Sequence, residues 1–132
     1  MKKEKLLVNA KRVIKCSYSP YSNYSVGCVL VTKENKLFLG CNVENAGIQS
    51  ICAERVAFAN AISSGYKDFK EILVIGKNKN DKHLKETLPC GYCRQFICEF
   101  CDKDFKIITY NEENKEFKEY KLEDLLPHNF DL

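Results

Sequence analysis

The sequence predicts a three-layer α/β/α fold built on a mixed sheet of about five strands. Three observations point there. Five segments have strand length and strand composition, at 26–32, 36–43, 71–77, 105–110 and 116–122. Segments with helical spacing of apolar residues alternate with the middle ones, which predicts parallel pairing there. The first two strand segments are joined through the turn residues Glu34 and Asn35, which predicts an antiparallel hairpin.

Each element has its own local reason. Residues 4–16 place Leu6, Leu7, Ala10, Val13 and Ile14 on one helical face. "SYSPYSNYS" follows, rich in Ser, Tyr and Pro, and reads as a loop. "VGCVLVT" is a buried strand, and "KLFLGCNV" pairs with it. Residues 52–64 carry Ala53, Val56, Ala57, Asn60 and Ala61, a small-residue helix able to lie close on a sheet. "EILVIGK" is apolar enough for a central strand. "NKNDKHLKETLP" reads as an exposed loop. Residues 91–101 form a helix with Phe96, Ile97, Phe100 and Cys101 on one face, and "FKIITY" and "EFKEYKL" flank the polar turn "NEEN". The order is α β β α β α β β over a chain of 132 residues, the length of one domain.

Charge and targeting signals narrow the function. The net charge is only +3 and acidic residues are scattered among the lysines. No basic arm or stripe exists, which argues against nucleic acid as the main partner. Lys11, Arg12 and Lys15 interrupt the apolar N-terminal segment, so it lacks the continuous core of a signal peptide. No apolar run reaches membrane-spanning length. A cytoplasmic protein with no membrane partner is expected. In that compartment the eight cysteines are read as thiols, metal ligands or catalytic groups rather than disulfides. Cys16, Cys28 and Cys41 lie in apolar segments and are expected in the core.

The densest cysteine segment is "TLPCGYCRQFICEFCDK", with Cys90-x-x-Cys93 and Cys98-x-x-Cys101. A four-cysteine zinc ribbon sets its two pairs on separate knuckles. Here the pairs stand four residues apart on one helix. Cys98 falls about 140° around the helix from Cys93. Cys101 is read instead as a core residue. A thioredoxin-like role is the weaker reading, because the motif comes late in the chain. The better partner is Cys52 in "ICAERVAF", since Cys52 and Cys90 both open helices. A helix N-terminus favours thiolate over thiol. Three thiolates leave one position of a tetrahedral zinc free, as in catalytic rather than structural sites. Glu54, two residues after Cys52, can reach a water there without binding the metal. An acidic residue in a first turn is common in itself; beside Cys52 and Pro-Cys-x-x-Cys it becomes specific.

"CAE" at 52–54 with "PCGYC" at 89–93 resembles the zinc-dependent nucleobase deaminase signature in its all-cysteine form. "PYSNYSVGCVL", "GCNVENA", "CAERVA", "LPCGYCRQF" and "EDLLPHNF" follow in order, and together they resemble the small homotetrameric cytidine deaminases over nearly the whole chain. The resemblance implies one Zn²⁺ per chain on Cys52, Cys90 and Cys93, and Glu54 as proton shuttle. It implies Asn42 and Glu44 on the ribose hydroxyls, and Tyr24 against the pyrimidine ring where the family usually has Phe. The Ala53 backbone would meet the base carbonyl. Arg55 would pair with the zinc thiolates, offsetting their net −1 charge with the metal. Gln95 is a further supporting candidate, and Phe130 would enter a neighbouring subunit's site. The loop "NVENAGIQSIC" departs from the family, with Gly47, Ile48 and Gln49 where a Tyr is usual. Tyr92 replaces a small residue and is expected to face solvent or a subunit contact.

The activity so implied is hydrolytic deamination of free cytidine and 2′-deoxycytidine, within pyrimidine salvage. A deaminase of another base or nucleoside, such as blasticidin S, shares Cys-Ala-Glu and "CRQ" but does not account for "NVEN". A polynucleotide-editing enzyme would need more basic and aromatic surface. An inactive zinc or regulatory module would not need Glu54.

Overall fold

The two most continuously apolar strands sit at the centre of the sheet, where both faces are covered. The computed structural model describes residues 1–132. Its elements are α1 (Lys3–Ile14), β1 (Tyr24–Thr32), β2 (Leu37–Cys41), α2 (Ala53–Ser63), β3 (Phe69–Asn78), α3 (Gly91–Phe100), β4 (Lys106–Asn111), β5 (Glu116–Lys121) and α4 (Leu122–Leu125). The sheet order is β2-β1-β3-β4-β5. β1 is antiparallel to both β2 and β3, β3 is parallel to β4, and β4 is antiparallel to β5. The mixed five-stranded sheet and the α/β layering are therefore as expected.

Alternation along the strands divides the core in two. From β1, Cys28 and Leu30 point to one face, with Ile72 and Val74 of β3, Ile107 of β4, and Ala53, Ala57, Phe58 and Ala61 of α2. Val29 and Val31 point to the other, with Leu73, Ile75, Ile108 and α1 residues Leu6 and Ala10. α1 thus covers one face, and α2 and α3 cover the other. The edge strand β5 carries four charged residues among its six, which discourages pairing with another sheet.

Phe58 ties the two site-bearing helices to the sheet. Its ring meets Phe69 at 4.9 Å between centroids, Phe105 at 6.2 Å, and Phe96 and Phe100 of α3 at 6.3 and 6.2 Å. This cluster, with Phe58 fully buried at its centre and the α3 rings half-buried, fixes α2 relative to α3. Gly40 of β2 allows the other close approach. A Cβ there would lie 2.3 Å from the Ala53 carbonyl oxygen and 2.8 Å from the Ala57 nitrogen. The first turn of α2 can rest on β2 only because that Cβ is missing.

Several local expectations change. Only Cys28 among the three isolated cysteines is fully buried; Cys41 is half-buried and Cys16 is exposed. α1 stops at Ile14, so Cys16 falls in the following turn and leaves the packed face. β1 begins at Tyr24, not Val26, because Tyr24 pairs with Asn78 of the longer strand β3. Leu122 leaves β5 to start the short α4 and becomes core. The middle of the sheet is less parallel than strand–helix alternation predicted. β1 inserts between β2 and β3, so the only parallel neighbours are β3 and β4.

Candidate active site

The N-termini of α2 and α3 deliver the three cysteines to one point. Cys52 and Cys90 are the residues just before each helix, in extended conformation at φ −70°, ψ 152° and φ −67°, ψ 168°. Neither side chain caps its own helix, so both thiols are free to turn towards each other. Cys93 follows in the first turn of α3 and is fully buried. The Sγ atoms of Cys52 and Cys90 are 3.8 Å apart, and all three lie within 4.8 Å of one another. Thiolates about 2.3 Å from a tetrahedral zinc are about 3.8 Å apart, so the cradle fits one such ion. Cys98 and Cys101 take no part. Both pack half-buried against the core on the α2 and α3 side, Cys101 just beyond the end of α3.

The electrostatics of the cradle favour a bound cation. Cys52 is pulled down to about 5, first by the Cys93 thiol hydrogen-bonding to it, then by Arg55. Cys93 is pushed up, because it donates that bond and is buried. Binding a metal requires all three thiols as thiolates, so it would release their protons. The Arg55 guanidinium reaches Cys52 Sγ at 3.7 Å and the Ser50 carbonyl at 3.5 Å. Its far side stacks on the exposed Tyr92 ring, 4.2 Å from the centroid. Tyr92 thus faces solvent, as expected, and also steadies the arginine.

Glu54 is 3% exposed in the first turn of α2. Burial pushes its carboxyl up to about 7, and the Cys52 thiolate pushes in the same direction. A carboxyl that titrates near neutrality can act as base and then as acid. It lines a cavity of about 220 Å³ with Tyr24, Val26, Asn42, Cys52, Ala53, Thr87, Leu88 and Cys90. Five of the expected site residues besides Glu54 thus share one concavity. Its wall is mainly apolar, as a flat heterocyclic ring requires.

The remaining site residues are placed as follows. The Asn42 side-chain oxygen accepts from Ser17 Oγ at 2.5 Å and the Val26 N–H at 3.0 Å, and its nitrogen donates to the Tyr24 carbonyl at 2.8 Å. One amide N–H remains for a ligand. The Glu44 carboxylate accepts from the Tyr21 and Ser22 N–H groups and the Ser22 hydroxyl, which hold its carboxyl below the usual range. Gln95 is exposed and bonds the Phe130 backbone in both directions, at 3.0 and 3.3 Å. Its partner is the C-terminal segment rather than the thiols. Phe130 itself is 68% exposed.

Three contributors escaped sequence reasoning. Thr87 and Leu88 line the cavity beside Cys90 but sit in a segment that reads as a polar loop. Arg94 donates to the Pro89 carbonyl at 2.7 Å and the Leu125 carbonyl at 2.8 Å. It braces the backbone entering Cys90, and its position directly after Cys93 was the available signal.

A family model, the cytidine and deoxycytidylate deaminase zinc-binding region, matches residues 1–109. The cytidine deaminase of Sporosarcina psychrophila is 34% identical over 96% of this chain and 90% of its own. The probable cytidine deaminase of Dictyostelium discoideum is 39% identical over 87% of this chain and 75% of its own. Among solved structures, the cytidine deaminase of Burkholderia pseudomallei superposes with a TM-score of 0.86 at 35% identity, covering 98% of this chain and all of that one.

Proposed function

Because the chain belongs to the cytidine and deoxycytidylate deaminase family, we propose that it hydrolyses free cytidine and 2′-deoxycytidine to uridine and 2′-deoxyuridine, releasing ammonia. The observation that carries this reading is the buried Glu54 beside three convergent thiols in a mainly apolar cavity. Zinc on Cys52, Cys90 and Cys93 supplies the Lewis acidity that makes water a nucleophile near neutral pH.

The chain's own groups do the rest. Glu54 accepts a proton from water as the water oxygen bonds C4 of the cytosine ring. It hands that proton to N3. The second proton of the former water passes through Glu54 to the amino nitrogen, the C4–N bond breaks, and ammonia leaves. One carboxyl thus moves two protons in sequence, which suits its raised affinity for protons. Arg55 offsets the charge of the three thiolates. The Tyr24 ring packs on the base, the Ala53 backbone meets the base carbonyl, and Asn42 with Glu44 holds the ribose hydroxyls. Their existing hydrogen bonds support this assignment, because both side chains are oriented before a substrate arrives.

The assembly in this reading is a homotetramer of one-domain chains, in which Phe130 enters a neighbouring subunit's site. Its exposed ring on a segment anchored by Gln95 supports that role. The partners are nucleosides, not nucleic acid or membrane; no helix is long and apolar enough to cross a bilayer. A cytoplasmic place in pyrimidine salvage follows from the free nucleoside substrate. The test is ultraviolet-monitored deamination of both nucleosides, with and without a zinc chelator. Turnover that chelation abolishes is expected. A zinc-loaded protein that releases no ammonia from either nucleoside would overturn the assignment.

A further inference from the structure

We propose that Thr87 is a positioning residue for the base pocket, holding the Tyr24 ring through a hydroxyl-to-hydroxyl bond. The proposal rests on the reading of Tyr24 as the residue that packs on the base. The Tyr24 and Thr87 hydroxyl oxygens are 2.7 Å apart. Thr87 also donates to the Lys85 carbonyl at 3.1 Å. A hydroxyl has one proton to give, so Thr87 accepts from Tyr24. The direction of the bond is thereby set, and the phenol is the donor.

Thr87 is itself held on two other sides. Lys85 is paired with β3 through its N–H to the Gly76 carbonyl at 3.0 Å. The Thr87 side chain lies on Gly76 so closely that a Cβ there would be 2.5 Å from its oxygen and 3.0 Å from its Cβ and Cγ2. Gly76 is also the register partner of Val26, two residues beyond Tyr24 on β1. β3 thus fixes Thr87, and Thr87 fixes the far end of a ring whose near end is fixed by β1. Both side chains line the cavity that holds Glu54. A phenylalanine at position 24 would be held by packing alone. Here the ring is clamped at both ends, and the pocket wall is set before the base enters.

A clamp on the wall acts on substrate and transition state alike, so it is read in KM rather than kcat. Thr87→Val, which keeps the shape and removes the hydroxyl, is expected to raise KM for cytidine about fivefold, the effect of one hydrogen bond, with a much smaller change in kcat. Tyr24→Phe is expected to do the same. The double variant is expected to be no worse than either, since both remove one bond. Thr87→Ser restores the donor and acceptor and is expected to restore KM. Uridine binding to the zinc-loaded proteins, followed by calorimetry, is expected to weaken by the same factor. An unchanged KM in Thr87→Val, effects that multiply in the double variant, or a Thr87→Ser protein as impaired as Thr87→Val would overturn the proposal while the unaltered protein still deaminates. An unaltered protein that deaminates neither nucleoside overturns the activity first, and the clamp with it.

Discussion

Cys52 Sγ and Cys90 Sγ stand 3.8 Å apart although 38 positions of chain separate the two residues. Each is the last extended residue before a helix, and the two helices are held together through Phe58. The spacing needed by one tetrahedral ion is thus a product of helix packing.

Metal content should follow this grouping and not the visible double Cys-x-x-Cys. Cys90→Ser is expected to lose zinc, because two thiols and a hydroxyl make a poor cradle. Cys98→Ser and Cys101→Ser are expected to keep one zinc per chain, with a stability loss of about 1–2 kcal/mol from the polar group placed against the core. Atomic absorption on purified protein, with thermal melting alongside, reads both outcomes.

Glu54→Gln is expected to keep zinc and fold while losing turnover by at least about 10²-fold, the usual contribution of a positioned acid–base group. The amide fills the same buried space but cannot carry a proton between oxygen and nitrogen. Zinc content equal to that of the unaltered protein, measured beside the rate of ammonia release, separates this from misfolding. Near-normal turnover would remove Glu54 from the mechanism.

Gly40→Ala should damage the site from behind. The added methyl lands 2.3 Å from the Ala53 carbonyl oxygen, so α2 must move away from β2. A cost of about 2–3 kcal/mol is expected, as for overpacking elsewhere. Because Cys52 and Glu54 ride on that turn, zinc affinity in a chelator competition should fall as well. A variant that melts lower but binds zinc normally would show that α2 shifts without carrying Cys52.

The pair Tyr120–Glu86 predicts a pH-dependent contribution to stability from side chains that do not line the Glu54 cavity. The Tyr120 hydroxyl donates to Glu86 at 2.6 Å, with Thr109 at 2.8 Å on the same oxygen. These bonds hold the Glu86 carboxyl below its ordinary value and push Tyr120 up to about 12. Glu86 has a depressed folded-state value, so its contribution is present above the ordinary carboxylate range and lost as pH falls through the lowered one. Tyr120 has a raised value, so its contribution is present below its ordinary value of 10.0 and lost as pH rises towards 12. Tyr120→Phe is expected to cost about 1 kcal/mol at neutral pH and less at either extreme. Melting temperature against pH, compared between the two proteins, checks it; a constant difference across the range would refute the linkage.

Legibility in the sequence differed by kind of feature. The helix openings at Cys52 and Cys90, the acidic residue in the first turn and the mixed sheet were readable because each depends on a few neighbouring residues. Cys16 was misplaced because an apolar neighbourhood does not say where α1 stops. Gln95 could be named as a supporting residue, but its bonds to Phe130, 35 residues later, could not be read from the chain. Thr87 went unnoticed because its partners, Tyr24 and Gly76, lie on two different strands.

The sequence by itself determined the chemical inventory: thiols at helix starts, a carboxyl two residues on, an aromatic at 24 and glycines at 40 and 76. These follow from local rules of helix ends and strand alternation, which act over a few residues. The tertiary structure alone decided which thiols meet, that Glu54 is buried enough to titrate near neutrality, and that Tyr24 is clamped. Each of those depends on segments far apart in the chain being brought within a few ångströms, and that distance is set by how α2, α3 and β3 pack rather than by any spacing in the chain.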